Sequence, residues 1–246
     1  MSLDLGSNSS NGWTEHGDIA AINGATALTV AFWVACGAAV NAGPINKGKM
    51  VFFLMDASRS YWIRETTNYN ADSPHIGTAV WQLITSAVDV VPPDILSWNH
   101  FALVYDGSLD VSSRMTLYKN TVSLPLVGTG SPQLPQGSDA ATTAPTSLID
   151  TSPQTLQYGH SNTSSLVGHF RVWSVALTQG EVAQEMNRYW ANRQTSLLMD
   201  CPFDDQLAAR DYSGNGNHGV WDPVNGTPGQ RQGPPIPYGG KVLVLG

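Results

Sequence analysis

The side chains able to do chemistry are few, and they are poorly grouped for catalysis. Glutamates are limited to Glu15, Glu65, Glu181 and Glu185, the last two on one helical pattern. Asp204 and Asp205 are adjacent, so on a strand they point to opposite faces and cannot share a substrate. There is no Gly-x-Ser-x-Gly elbow, zinc-like His/Cys spacing or phosphate loop. An enzyme is therefore not expected. The oxygen-rich stretch that remains is the turn Asp211-Tyr212-Ser213-Gly214-Asn215-Gly216-Asn217-His218-Gly219. Gly214, Gly216 and Gly219 can supply positive φ there, while Asp211 and the asparagines hydrogen-bond the turn backbone. Cys36 and Cys201 each lie in an apolar strand-like run. Buried free thiols are expected, and a disulfide would require their two strands to be neighbours.

The elements that position these residues are strands. With 41% hydrophobic and only 13% charged residues, the chain has a large core and a surface of Ser, Thr, Asn, Gln and Gly. A formal charge of -7 and the lack of a basic patch argue against nucleic acid, which requires clustered Lys and Arg. No run approaches transmembrane length and Met1 to Gly6 lacks signal-peptide character. The expectation is a soluble chain without its own export address and without membrane insertion.

Trp98-Asn99-His100-Phe101-Ala102-Leu103-Val104-Tyr105-Asp106-Gly107 alternates with largely apolar residues on both faces, which predicts a strand covered on both sides. Met115 to Asn120 pairs with it as a hairpin. Leu28, Val30, Phe32, Val34 and Cys36 mark one face of another core strand, with Trp33 on the other. Further strands are predicted at Lys49 to Met55, Ser60 to Glu65, within His75 to Val88, at Leu166 to Trp173 and at Ser196 to Phe203. In the fourth of these, Val167, His169, Arg171 and Trp173 share one face. Leu126 to Pro153 reads as a surface excursion. Thr178-Gln179-Gly180-Glu181 fits a capping box opening a helix with a stripe of Val182, Met186, Tyr189 and Arg193, beside Trp190. One such helix in an all-β pattern predicts a lid on the sandwich end. Trp33, Trp98 and Trp173 are expected in the core.

Four segments carry a family resemblance. Trp98-Asn99-His100 through Asn120 resembles the central hairpin of laminin G-like jelly rolls of the concanavalin A-like lectin/glucanase superfamily. Leu28 to Val34 resembles one of its strands. Gly168-His169-Phe170-Arg171-Val172-Trp173 with Leu177 and Glu181 is similar to its G-x-hydrophobic-R-hydrophobic-W-x-x-x-L-x-x-x-E signature, and Asp211 to Gly219 to its D-x-SGNGNHG turn. In many relatives that turn opens the domain, whereas here it closes the chain. The resemblance implies an all-β, two-sheet antiparallel jelly-roll sandwich with one short helix. A single domain over 1–246 is expected, with 196–246 returning to complete the sandwich and 222–240 as an extended surface segment.

The superfamily's hydrolases carry an E-x-D-x-x-E strand whose carboxylates act as a pair; this chain lacks it. What the resemblance implies instead is recognition. Calcium, held by oxygen ligands, would draw on Asp211, Asn215 and Asn217, joined by Asp4 or Asp18 if the chain ends meet; the alternative for this turn is the purely structural one above. Glycan binding would draw on exposed rings that match the apolar face of a sugar: Trp13, Tyr61, Trp62, Tyr69 and Trp81. The expected function is thus a non-catalytic, lectin-like surface module, extracellular as part of a larger assembly. The alternative is a phage decoration or tail-associated protein that binds capsid, tail or neighbouring subunits, or copies of itself, at the virion surface.

Overall fold

The computed structural model describes residues 2–4, 14–36, 42–55, 61–66, 79–85, 97–127, 145–158, 165–203, 209–221, 229–231, 234 and 236. The elements are β1 (Ser2–Asp4), β2 (Thr14–Glu15), β3 (Ala27–Cys36), β4 (Ala42–Lys47), β5 (Met50–Met55), β6 (Tyr61–Thr66), β7 (Ala79–Thr85), β8 (Asn99–Asp106), β9 (Met115–Lys119), β10 (Val122–Leu124), β11 (Leu126–Val127), β12 (Leu156–Tyr158), β13 (Ser165–Trp173), α1 (Gln179–Met186), β14 (Leu197–Cys201), β15 (Val220–Trp221) and β16 (Gly229–Arg231). All strand pairs are antiparallel. The first sheet runs β10-β9-β8-β3-β13-β1-β16, with β14 also on β13, and the second runs β11-β7-β6-β5-β4-β12-β2-β15. The fold is an all-β sandwich, with one α-helix among the described residues. β4 escapes a reading by pattern because Gly43 and Pro44 sit inside it. The apolar run Lys241 to Leu245, which also reads as a short strand, lies outside the described residues, as do Asp204 and Asp205.

Alternation at period two sorts the first sheet into two faces. Leu28, Val30 and Phe32 on β3 and Phe101, Leu103 and Tyr105 on β8 enter the core between the sheets, where Ile45, Phe52, Ile63 and Leu156 meet them. Aromatic rings bridge that core: Tyr158 stacks on Phe170 with centroids 4.2 Å apart, and Tyr61 meets Phe101 edge-on at 4.8 Å. Tyr61 is therefore a core residue and not an exposed ligand-binding ring, a correction that follows from its place opposite Phe101. The hairpin end is tied by Asn120, whose Oδ1 accepts the His100 N–H at 2.8 Å while its Nδ2 donates to Asn99 Oδ1 at 2.9 Å.

The other face of the first sheet is also covered, but by the helix. Ala31, Ala102, Val104 and Trp173 pack under Leu177, Val182 and Ala191, and Trp33 packs with Tyr189 and Ile236 beside Trp98, Met186 and Trp190. The helix thus lies over a sheet face and not on the sandwich end; the small residues Ala31 and Ala102 leave room for it. It also stops at Met186, so Tyr189 and Arg193 belong to the segment after it. Both halves of the expected capping box form: the Glu181 N–H donates to Thr178 Oγ1 at 3.3 Å, and the Thr178 N–H to Glu181 Oε2 at 2.8 Å.

Three further details depart from simple periodicity. The register of β13 against β3 slips between Gly168 and Arg171, and His169 takes φ 45°. Such a bulge re-aims side chains: a Cβ on Gly168 would lie 3.1 Å from Pro234, and His169 reaches Tyr189. A second slip between β13 and β14 places Leu197 with the helix-side cluster while Met199, Cys201 and Phe203 face the main core. The 126–153 excursion is anchored too, since Leu148 is buried in the core and the Tyr105 hydroxyl donates to the Pro145 carbonyl at 2.9 Å. Cys201 is buried, its thiol donating to the Ala209 carbonyl at 3.7 Å; β13 separates its strand from that of Cys36. At the chain ends, β1 pairs β16 and β2 pairs β15.

Candidate functional site

The glycine turn is built around one buried carboxylate. Asp211 Oδ1 accepts the N–H groups of Asp200 and Ser213, each at 2.9 Å; Oδ2 accepts the Ser213 hydroxyl at 2.8 Å and the Asn217 N–H at 2.9 Å. The asparagines point their amide donors at β14: Asn215 Nδ2 donates to the Leu197 carbonyl at 2.7 Å and Asn217 Nδ2 to the Leu198 carbonyl at 2.8 Å. Gly214 and Gly216 have φ 90° and 75°. Gly219 serves differently, because a Cβ there would fall 2.6 Å from the His16 ring. His16 Nδ1–H donates to the Asn217 carbonyl at 3.1 Å and Nε2 accepts from the Thr14 hydroxyl at 2.9 Å; burial lowers its pKa to about 4, against the raising effects of that carbonyl and of Asp211.

A calcium ion needs several uncommitted oxygen ligands. Here the Asp211 oxygens and the Leu197 and Leu198 carbonyls are already taken by N–H and O–H donors, so Asp211 is not an uncommitted ligand. The other two candidate ligands lie apart. Asp18 pairs with the Lys47 ammonium at 2.6 Å; that contact and the Asn23 amide hold its carboxyl below the usual range. Asp4 pairs in register with Leu166 and Gly229, on a different stretch of β13 from Asp200, which pairs with Arg171. Among the described residues no group of three or more His, Cys, Asp or Glu side chains is placed to hold a metal.

What the turn positions is an aromatic surface. Arg171, buried on β13, donates all five of its N–H bonds: Nε to Asp200 Oδ1 at 2.8 Å, Nη1 to the Glu185 carbonyl at 3.0 Å and to Glu185 Oε2 at 3.4 Å, and Nη2 to the carbonyls of Arg188 at 2.9 Å and Tyr189 at 2.6 Å. Glu185 accepts the N–H groups of Asn192 and Arg193. Asp200 is the junction, because its Oδ2 accepts the Ala191 N–H at 3.0 Å and its carbonyl accepts the Tyr212 N–H at 2.8 Å. Asp200 thereby fixes the backbone of Ala191 and of Tyr212 directly, while its partner Arg171 fixes that of Tyr189. The Trp190 and Tyr212 rings meet edge-on with centroids 5.1 Å apart. Tyr212 is 38% exposed, and the Arg210 guanidinium lies 5.3 Å from its ring centroid.

Under this surface, Tyr189 meets His169 edge-on at 4.9 Å, and Trp33 meets His100 at 5.4 Å. Both imidazoles are buried with no partner for Nδ1 among the described residues. Burial, and then the Arg171 charge, lowers His100 to about 3 and holds His169 well below its ordinary value. On the second sheet's outward side, Gln157 donates to Glu15 at 2.9 Å, and its register neighbour Asn46 is fully buried with neither amide atom partnered among the described residues.

Of the five rings expected to bind ligand, Trp13 and Tyr69 lie outside the described residues. Trp62 and Trp81 enter through their backbones alone, paired with Ile84 and Glu65, and Tyr61 is in the core. Trp190 and Tyr212 were not singled out by the sequence reading, because Trp190 looked like a helix flank and Tyr212 like filler within a glycine motif. The signal that could have found Tyr212 is its position between Arg210 and a polar turn, where no apolar alternation requires an aromatic. No helix among the described residues is long and apolar enough to cross a membrane.

No family model matches the sequence, and no curated protein matches it. Solved structures do. A Bacteroides ovatus ATCC 8483 protein described as a "putative carbohydrate binding protein" superposes with a TM-score of 0.51 at 15% identity, covering 90% of this chain and 58% of its own. The chain thus spans little more than half the length of that structure. The SAP-like pentraxin of Limulus polyphemus is similar at 10% identity and TM-score 0.36, covering 74% and 79%. The CBM40 of the Ruminococcus gnavus IT-sialidase, bound to sialyllactose, is similar at 10% identity and TM-score 0.43, covering 71% and 92%. At these identities the likeness to the first establishes the shared fold.

Proposed function

We propose that this chain is a non-catalytic glycan-binding module of the concanavalin A-like, laminin G-like kind, which takes its ligand on the surface formed by Tyr212, Trp190 and Arg210. The observation that carries this reading is an exposed Tyr212 whose backbone is fixed to Asp200 and whose ring is held between Trp190 and Arg210. A rigid ring gives a sugar's apolar face contact without the entropy cost of ordering it on binding. The described carboxylates Glu185, Asp200 and Asp211 are buried and spent on hydrogen bonds, which supports binding over hydrolysis. The carbohydrate-binding description of the Bacteroides ovatus protein agrees with this reading, although fold alone does not carry function.

The test is binding of a panel of neutral and acidic oligosaccharides to the full chain and to Tyr212→Ala. Binding by the parent that is lost in the variant, with an unchanged melting temperature, is the expected result. Retention of binding by Tyr212→Ala would move the site elsewhere.

A further inference from the structure

Arg210 differs from Arg171 and Arg193, two other arginines near this surface, in how its side chain is used, and from the exposed Arg188 in lying at an aromatic ring. Arg171 is saturated by five hydrogen bonds, and Arg193 is bonded to Glu181 and to the Thr195 carbonyl. Arg210, exposed on the chain just before the turn, makes no side-chain hydrogen bond or ion pair among the described residues; its contact is with the Tyr212 ring. A guanidinium held at an aromatic ring keeps its N–H fork for something else. The group that fork matches is a carboxylate, taken by two parallel N–H···O bonds. The molecule as a whole carries -7 and so repels anions at long range. Selection of an acidic ligand has to come from short-range contact of this kind.

Resting on the glycan-binding reading above, we infer that the surface selects sugars bearing a carboxylate, with Arg210 as the specificity-determining residue and Tyr212 and Trp190 supplying apolar contact. The carboxylate could belong to a sialic acid or to a uronic acid, which share this chemistry. The neighbouring backbone favours the geometry, since Asp211 and Tyr212 are tied to Asp200, leaving little freedom in where Arg210 starts.

The experiment is calorimetric titration of the full chain with four probes: sialyllactose, lactose, an oligogalacturonate and its methyl ester. The esterified sugar removes the charge and leaves the ring. At least one acidic probe is expected to bind about ten-fold or more tighter than its neutral counterpart, the worth of a charge-assisted pair; which one identifies the acid. Arg210→Gln should erase that ratio and Arg210→Lys restore it in part, both with the parent's melting temperature because the side chain is exposed. Equal affinity for acidic and neutral probes, or a ratio unchanged in Arg210→Gln, overturns the inference and leaves the glycan-binding reading standing. Binding of none of the four by the folded parent, nor of any sugar in the wider panel, overturns both.

Discussion

Replacing Asp211 with Asn tests whether the glycine turn is held by a carboxylate or by a metal. The carboxylate is buried and accepts four hydrogen bonds, two on each oxygen. Asn keeps one oxygen and turns the other into a donor facing the groups that formerly donated to it. Two charge-assisted bonds are lost at about 1.5–3 kcal/mol each and the other two weaken, so a loss of about 4 kcal/mol is expected. For a chain of this size that lowers the melting temperature by roughly 10 °C. The assay is thermal denaturation of parent and variant, each with added calcium and with chelator. The parent's melting point should be the same in both buffers, and the variant's should be lower by the same amount in both. A parent that loses stability in chelator and regains it with calcium, or a variant within a degree of the parent, would refute the account of this turn.

Two other outcomes follow from the buried polar groups. Asn46→Leu removes a buried amide with neither atom partnered among the described residues, so it should stabilise the fold by about 1 kcal/mol or more, read as a raised denaturant midpoint with an unchanged slope. The buried histidines set an acid limit: His16 and His100 have folded pKa values of about 4 and about 3, while the unfolded chain takes up protons near 6.5. The unfolded state binds more protons across that window, so stability is complete above pH 6.5 and falls as the pH drops toward 4, by about 1.4 kcal/mol per pH unit for each imidazole. Denaturant titrations between pH 7 and 4 check this, and His16→Gln should flatten the slope.

Much of the architecture was legible in the sequence because it rests on local rules. Period-two alternation identified β3, β8 and β13, and Thr178 with Glu181 announced the helix start, since the cap satisfies donors three residues apart. The motif residues were legible as a pattern but not as a mechanism. Arg171 and Asp200 read as charges on strands; the sandwich makes them partners by pairing β13 with β14 and laying 188–193 over both. The calcium candidates show the same limit. Asp211, Asn215 and Asn217 make an oxygen set along the chain, but the N–H and O–H groups that occupy the Asp211 oxygens come from β14 and from the turn's own fold.

The sequence by itself determined that this chain is an all-β sandwich with a covered central hairpin, a single capped helix and a tight glycine turn, because those features follow from side-chain alternation and short-range hydrogen bonding. Which aromatic rings reach solvent was decided only in three dimensions. Tyr61 sits in a strand no less exposed by pattern than its neighbours, yet it faces Phe101 in the core. Tyr212 and Trp190 come together from segments far apart in sequence that Asp200 ties to one another. Exposure depends on what packs above a residue, and no period along the chain encodes that.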